Sequence, residues 1–312
     1  MKRIIIALML MGAIVAAEST YLRVTDGVIV VTDGVIQTGA ATPAGTDYAN
    51  IPQYANSVLL CEFTNSAATI ADNSYYGLQA IANGSPPAAS TWANTTGVYS
   101  AYRDFDGGDK VVIEDNNNLS FGNASADSPF TLSAWCNMND ATKFRIMCKA
   151  TDTDAGTLEW VFINDANDKL GVGCYDHTAT DYILATATDA ITSDENTWHC
   201  YTATYNGSGL ASGFNLYRDG IDLANTGATG GSYTAMHNTP VDATIGAFLV
   251  DSPAVTYANG SIDMPMIWSV ELSSNEVFRL FRNTNWQNPT NGYDIGGASP
   301  IYINPGKGFA AP

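Results

Sequence analysis

Along most of this chain the hydrophobic pattern has a period of two, which is the mark of strands. The clearest stretch runs from Asn196 to Thr226. Residues 197–205 (TWHCYTATY) alternate β-branched, aromatic and small side chains, as a pleated, half-buried surface requires. Asn206-Gly207 breaks that run with residues that tolerate positive φ. Residues 214–217 alternate again, and Asp219-Gly220 supplies a tight turn into a third, short strand at 221–223. Further strands are predicted at 58–63, 75–81, 110–114, 130–135, 144–150, 158–163, 169–175, 182–187, 243–248 and 260–268. Pro265 cannot donate a ladder hydrogen bond, so an edge or a bulge is expected there. One segment changes period. After Ser273, Val277, Phe278, Leu280 and Phe281 share a helical face, and Ser273 with Glu276 has the spacing of a capping box. At the other end VTDGVI occurs twice, at 24–29 and 31–36, giving two strand-like segments with Asp-Gly turns. Residues 39–52 (GAATPAGTDYANIP) read as a linker, and the chain from Thr284 reads as an irregular strap.

The first residues are an address. Lys2 and Arg3 precede an apolar run over 4–15, and Val15-Ala16-Ala17 supplies small residues before Glu18. A membrane anchor needs about 20 apolar residues, and polar sequence begins too early for one. Cleavage before Glu18 is expected, giving a secreted or cell-surface protein. No later stretch is long and apolar enough to span a bilayer. Composition agrees with export: apolar residues make up 46%, only 14% are charged, and the net charge is −18. So acidic a chain repels phosphate backbones, which disfavours nucleic acid as a partner. The five cysteines (Cys61, Cys136, Cys148, Cys174, Cys200) are odd in number and fall inside predicted strands, without zinc-ligand spacing. They read mainly as small buried hydrophobes. If one disulfide exists, Cys136–Cys148 is the first choice, on consecutive strands joined by a short turn.

Several motifs share one order. They are Arg103-Asp104-Phe105-Asp106-Gly107-Gly108-Asp109, then Phe130-Thr131-Leu132-Ser133-Ala134-Trp135, then Trp198-His199 through Tyr205-Asn206-Gly207 to Leu216-Tyr217-Arg218-Asp219-Gly220. Gly260-Ser261-Ile262-Asp263 to Ile267-Trp268 and Leu272-Ser273-Ser274-Asn275-Glu276 follow. In this order they resemble the laminin G-like family of the concanavalin A-like superfamily, from Ser57 to Asn283. The resemblance implies an all-β, two-sheet antiparallel jelly-roll sandwich with one short C-terminal helix. Four segments are then expected: a signal peptide (1–17), an N-terminal arm and linker (18–56), the jelly roll (57–283) and an extended tail (284–312). In resembling domains a first-loop Asp, the FDG-x-D loop and the closing-strand Asp meet at one edge around calcium. The matching residues are Asp72, Asp106, Asp109 and Asp263, with Asn73 as a carbonyl donor; turn formation is the competing role for each.

Catalysis finds little support. The Glu-x-Asp-x-x-Glu pattern of the superfamily's glucanases is absent. Glu114 and Asp115 are adjacent and so point to opposite faces of a strand, while Glu62 and Glu159 stand alone. Gly207-Ser208-Gly209 lacks a nucleophile-elbow setting. His177, His199 and His237 are too scattered for a metal or base constellation. Asp152-Thr153-Asp154 lacks the rest of an EF-hand loop. Glycan binding needs exposed aromatics beside amides or carboxylates, and Tyr182, Tyr233 and Tyr257 are predicted on loops. Six sequons (Asn83, Asn94, Asn118, Asn123, Asn206, Asn259) offer acceptor sites. Two functions fit an exported, non-catalytic sandwich. One is a structural subunit of a filament, coat or virion, joined to other copies through Val24, Val28, Val31 and Val35 of the arm. The other is a lectin-like or adhesive surface module.

Overall fold

A computed structural model describes residues 51–63, 69–76, 81–82, 92–94, 101–150, 157–248 and 256–284, with strands also described within 22–38. The expected signal peptide and nearly all of the expected tail lie outside these residues, as does the 152–154 loop. The chain divides into two units, residues 1–48 and Ala49–Pro312.

In the first unit the two VTDGVI copies pair within the arm itself. Strands Leu22–Val24, Gly27–Thr32 and Val35–Thr38 form a three-stranded antiparallel sheet. Val24 stands opposite Gly27, and Thr32 opposite Val35, so two residues link each pair of strands. Val28 and Val31 are on the middle strand.

The second unit is an antiparallel sandwich. One sheet is centred on Phe130–Met138, flanked by Trp198–Tyr205 and Asn259–Trp268. Phe214–Arg218 and Ile221–Leu223 extend it on one side. On the other side Asn259–Trp268 pairs first with Ala101–Asp106 and then with Ser57–Glu62. The facing sheet runs Val111–Ile113, Ala243–Ile245, Arg145–Lys149, Leu158–Asn164, Leu170–His177, Tyr182–Ala187, Asn225–Gly230. The alternation seen in the sequence decides what meets between the sheets. Phe130, Leu132, Ala134 and Cys136 of one sheet share a core with Trp160, Phe162, Leu170 and Val172 of the other, all buried. The central hairpin follows expectation: Tyr205 pairs with Phe214, and Asp219 and Gly220 both take positive φ (54° and 75°) at the turn.

Pro265 occupies a bulge in the middle of a sheet rather than an edge. Ser133 pairs with Met266 but Trp135 pairs with Asp263, so the register shifts there, and Met264 has φ of 46°. At this bulge the neighbour of the closing strand changes from Ala101–Asp106 to Ser57–Glu62.

The capping box forms as expected. The Ser273 N–H and Oγ both donate to Glu276 Oε2 (2.9 and 2.8 Å), and the Glu276 N–H points back at Ser273 Oγ (3.4 Å). The helix Ser274–Thr284 buries Val277 and Leu280 and lays Phe281 on Trp135. Phe278 departs from the predicted face; it is 40% exposed beside Arg282.

Three strand expectations need correction. The strand predicted over 75–81 lies earlier, at Thr69–Asp72, with a two-residue strand at Ile81–Ala82; Tyr75 and Tyr76 sit in a bend. The strand over 243–248 is broken at Gly246 (φ 80°), where the Phe105 ring occupies the place a side chain would need. Cys136 and Cys148 belong to opposite sheets instead of one hairpin, and all five cysteines are buried thiols outside any disulfide.

A candidate ligand-binding edge

Where strand Ser57–Glu62 meets Thr69–Asp72, a short loop is pinned by one carboxylate. Asp72 Oδ1 accepts from the backbone N–H groups of Leu60 and Ser74 (both 2.9 Å), and its Oδ2 accepts from Ser74 Oγ (2.9 Å). Ser74 Oγ also reaches Val58 O, and the Tyr75 N–H donates to Ser57 Oγ. These bonds turn the chain so that Tyr75 and Tyr76 leave the sandwich. They are 62% and 47% exposed, at 5.7 Å edge-to-face. Tyr54 extends the group, 6.3 Å from Tyr75, and is anchored by donating its hydroxyl to Asn73 O (2.8 Å). Burial, then the nearby Asp72 charge, raises the Tyr54 pKa, so its hydroxyl stays a donor. On the segment carrying Tyr54, the half-buried Asn56 amide donates to Gln53 Oε1 (3.0 Å), and the exposed Gln53 amide donates in turn to Glu276 Oε1 (2.7 Å).

The five residues expected around calcium are distributed differently. Asp72 is engaged with its own loop, and Asn73 gives its carbonyl to Tyr54. Asp106 Oδ1 accepts from the Gly108 N–H (3.1 Å), an Asx turn. Asp109 is buried, with Oδ2 unpartnered. Its pKa is raised by burial first and then by the Asp106 charge, against an opposite pull from Arg103. Asp263 is buried at the bulge. No group of three or more His, Cys, Asp or Glu among the described residues is placed to hold a metal ion. Calcium wants six to eight oxygens, and what stands together here is the Asp106/Asp109 pair.

The remaining candidates are held in structural networks. His199 Nδ1 lies 2.6 Å from Asp219 Oδ2, and Asp219 Oδ1 accepts from the Cys200 N–H (2.9 Å). Asp194, buried beside it, accepts from Tyr201 Oη and from Arg218 Nη1. His237 bonds Asp176 (3.0 Å) and stacks on His177. Tyr233 donates to Asp127, as does Tyr205, and the Tyr182 ring packs at 6.0 Å against Tyr175. Tyr257 is half-buried on a two-residue strand. Glu159 and Asp115, far apart in sequence, meet through Lys149: its ammonium lies 2.8 Å from Glu159 Oε1 and 2.9 Å from Asp115 Oδ1. Glu159 is fully buried, which keeps it from any polymeric substrate. The sequence reading missed the tyrosine platform. Its signal is Tyr75-Tyr76 directly after Asp-Asn-Ser, but the pattern around the two aromatics reads equally as a strand.

The fold is that of an antiparallel jelly-roll lectin-like sandwich. The family model described as the concanavalin A-like lectin/glucanases superfamily, of laminin G type, matches residues 105–278, and the chain belongs to this family. No curated protein matches it in sequence. Among solved structures it is similar to the binding domain of Paraclostridial mosquitocidal protein 1 (TM-score 0.51, 14% identity, 73% of this chain and 52% of that one). It is also similar to the botulinum neurotoxin serotype D ligand binding domain in complex with N-acetylneuraminic acid (TM-score 0.51, 16% identity, 76% of this chain and 52% of that one). The chain thus spans about half the length of these structures, and the likeness is one of fold.

Proposed function

We propose that this protein is an exported, non-catalytic binding module that takes carbohydrate at the Tyr54/Tyr75/Tyr76 edge. The observation that carries the reading is the exposure of Tyr75 and Tyr76 on a loop fixed by Asp72. Sugar rings present apolar C–H faces to aromatic surfaces and hydroxyls to amides, and this edge offers both. Rigid placement matters because a pre-ordered aromatic loses little entropy on binding. The sialic acid complex of the similar toxin domain agrees with a saccharide as the ligand class. The test is a glycan array with acidic and neutral oligosaccharides, followed by titration of any hit against the Tyr75→Ala/Tyr76→Ala double variant. Binding should weaken by roughly tenfold or more. Retention of no glycan, or unchanged affinity in the variant, would overturn the reading.

A second reading, assembly through the arm, rests on the three-stranded sheet at 22–38. Its outer strands, Leu22–Val24 and Val35–Thr38, are each paired on one side only among the described residues. Such edges accept further strands. The twelve residues from 39 to 50 reach up to ~40 Å when extended, enough to cross to another copy. In this reading Val24, Val28, Val31 and Val35 carry the contact. Deleting residues 18–38 should leave a folded monomer in sedimentation and negative-stain images; identical oligomers before and after deletion would remove the arm from assembly.

A further inference from the structure

The Lys149–Glu159–Asp115 cluster has a chemistry beyond an ion pair. Lys149 and Glu159 side chains have no solvent exposure, while Asp115 is 31% exposed. The ammonium is surrounded by Glu159 Oε1, Asp115 Oδ1 and the Thr239 carbonyl, at 2.8, 2.9 and 2.8 Å. Glu159 Oε1 also receives the Thr239 N–H, Thr239 Oγ1 and Ser120 Oγ, yet its Oε2 has no partner. The Asp115 backbone is itself fixed, its N–H donating to Asp242 Oδ1 (3.0 Å). A buried carboxylate with one empty oxygen is costly, and a buried ion pair rarely repays the loss of hydration. Condensing Lys149 with Asp115 removes the buried ammonium and the Asp115 charge, and leaves the Glu159 carboxylate held by Thr239 and Ser120.

We propose that Lys149 and Asp115 condense to an intramolecular isopeptide bond, with Glu159 as the proton carrier. Nζ gives one proton to Asp115 Oδ1 across their 2.9 Å contact, which leaves the amine neutral and the carboxyl electrophilic. The neutral amine then attacks Cγ of Asp115. The oxygen contact of 2.9 Å places that carbon close to the about 3–3.5 Å at which bond formation begins. A C–N bond forms, Glu159 Oε1, 2.8 Å from Nζ, takes a second proton from the nitrogen and returns it to the departing hydroxyl, and the Cγ–O bond breaks with loss of water. Ammonium and carboxylate thus become one amide and one water, with no oxidant or co-reactant. Glu159 is regenerated.

The strand geometry gives the bond a purpose. Ile113 pairs with Ala243, and Ala243 pairs with Lys149, so the link would bridge from the chain just beyond one strand to the strand two places away. Such a covalent strap resists heat, force and proteolysis in an exported protein whose five cysteines all stay thiols.

The experiment is intact mass and peptide mapping of the purified full chain under denaturing, reducing conditions, beside Glu159→Gln and Asp115→Ala. The wild type should run lighter than its sequence by one water, about 18 Da, and yield a branched peptide joining Lys149 to Asp115. Both variants should show no such branch. A succinimide at Asp115 loses the same mass but leaves Lys149 open to trypsin, so the map separates the two. Wild-type protein with its full mass, or with separate Asp115 and Lys149 peptides, refutes the bond whether or not the variants fold. A branch that persists in Glu159→Gln refutes the role of Glu159.

Discussion

Replacing Asp72 separates the two roles that a loop carboxylate can have at the proposed binding edge. In Asp72→Ala the Leu60 and Ser74 N–H groups and the Ser74 hydroxyl all lose their acceptor. Hydrogen bonds to a charged group contribute about 1.5–3 kcal/mol each, but three bonds on one partly buried carboxylate are not additive, and water reaches part of the loop. A total of about 2–4 kcal/mol follows. For a domain of this size that is a melting shift of roughly 5–15 °C. Asp72→Asn is the informative partner. Its amide oxygen can take the place of Oδ1 and keep both backbone donors, so it should melt much nearer the wild type than the alanine variant does. It should also retain most glycan affinity, because Tyr75 and Tyr76 stay where the turn puts them. Differential scanning calorimetry, with and without exhaustive chelation, reads all of this. If Asp72→Asn lowers the melting temperature as far as Asp72→Ala does, turn geometry is not what Asp72 supplies. If the asparagine variant falls below the wild type only when calcium is present, the carboxylate is a metal ligand after all.

Chelation of the wild type should leave its melting temperature unchanged if Asp106 and Asp109 serve only the turn; a bound ion at a hundredfold its dissociation constant would instead add roughly 2.7 kcal/mol. His199 has a raised pKa: burial lowers it, but the hydrogen bond and charge of Asp219, with Asp194, outweigh burial. Its contribution to stability is therefore fully present below the unfolded value of about 6.5 and is lost as pH rises through the higher folded value, a slope that His199→Gln should flatten in urea titrations. Ser273→Ala should cost about 1 kcal/mol in the same assay through loss of the helix cap, and an unchanged midpoint would make the cap incidental. Native protein should resist alkylation at all five cysteines, since they are buried and the Cys200 thiol is pushed up to about 12, whereas denatured protein should take five equivalents without reductant. Fewer equivalents would reveal a disulfide.

What the sequence revealed about this fold was whatever leaves a periodic or capping signature. The alternation in Phe130–Met138, Trp198–Tyr205 and Phe214–Arg218 matches the side chains that meet in the core. The Ser273/Glu276 pair specified a cap that forms atom for atom. Strand Asn225–Gly230 was not legible, because NTGATG is small, polar and largely exposed, with no apolar face to betray it. Its strand character comes from pairing with Tyr182–Ala187, a tertiary cause. Phe278 satisfied the helical period and still lies outward, because Val277 and Leu280 already fill the contact beneath the helix.

The same distinction explains why the tyrosine edge and the lysine cluster were hidden. Tyr75 and Tyr76 differ from the buried tyrosines Tyr201 and Tyr205 only in their surroundings. Nothing in the residue type separates a core aromatic from a platform; the decision is made by Asp72 turning the chain after Ser57–Glu62 has paired. Lys149 is 34 residues from Asp115 and 10 from Glu159 along the chain, and the three meet only because Ala243–Ile245 draws two strands to either side of itself. Periodicity reports which face a residue occupies, whereas chemistry needs to know which neighbour occupies it too. In an antiparallel sandwich that neighbour is fixed by strand order, and the order here places a lysine, two carboxylates and an unpartnered carboxylate oxygen at one end of the core.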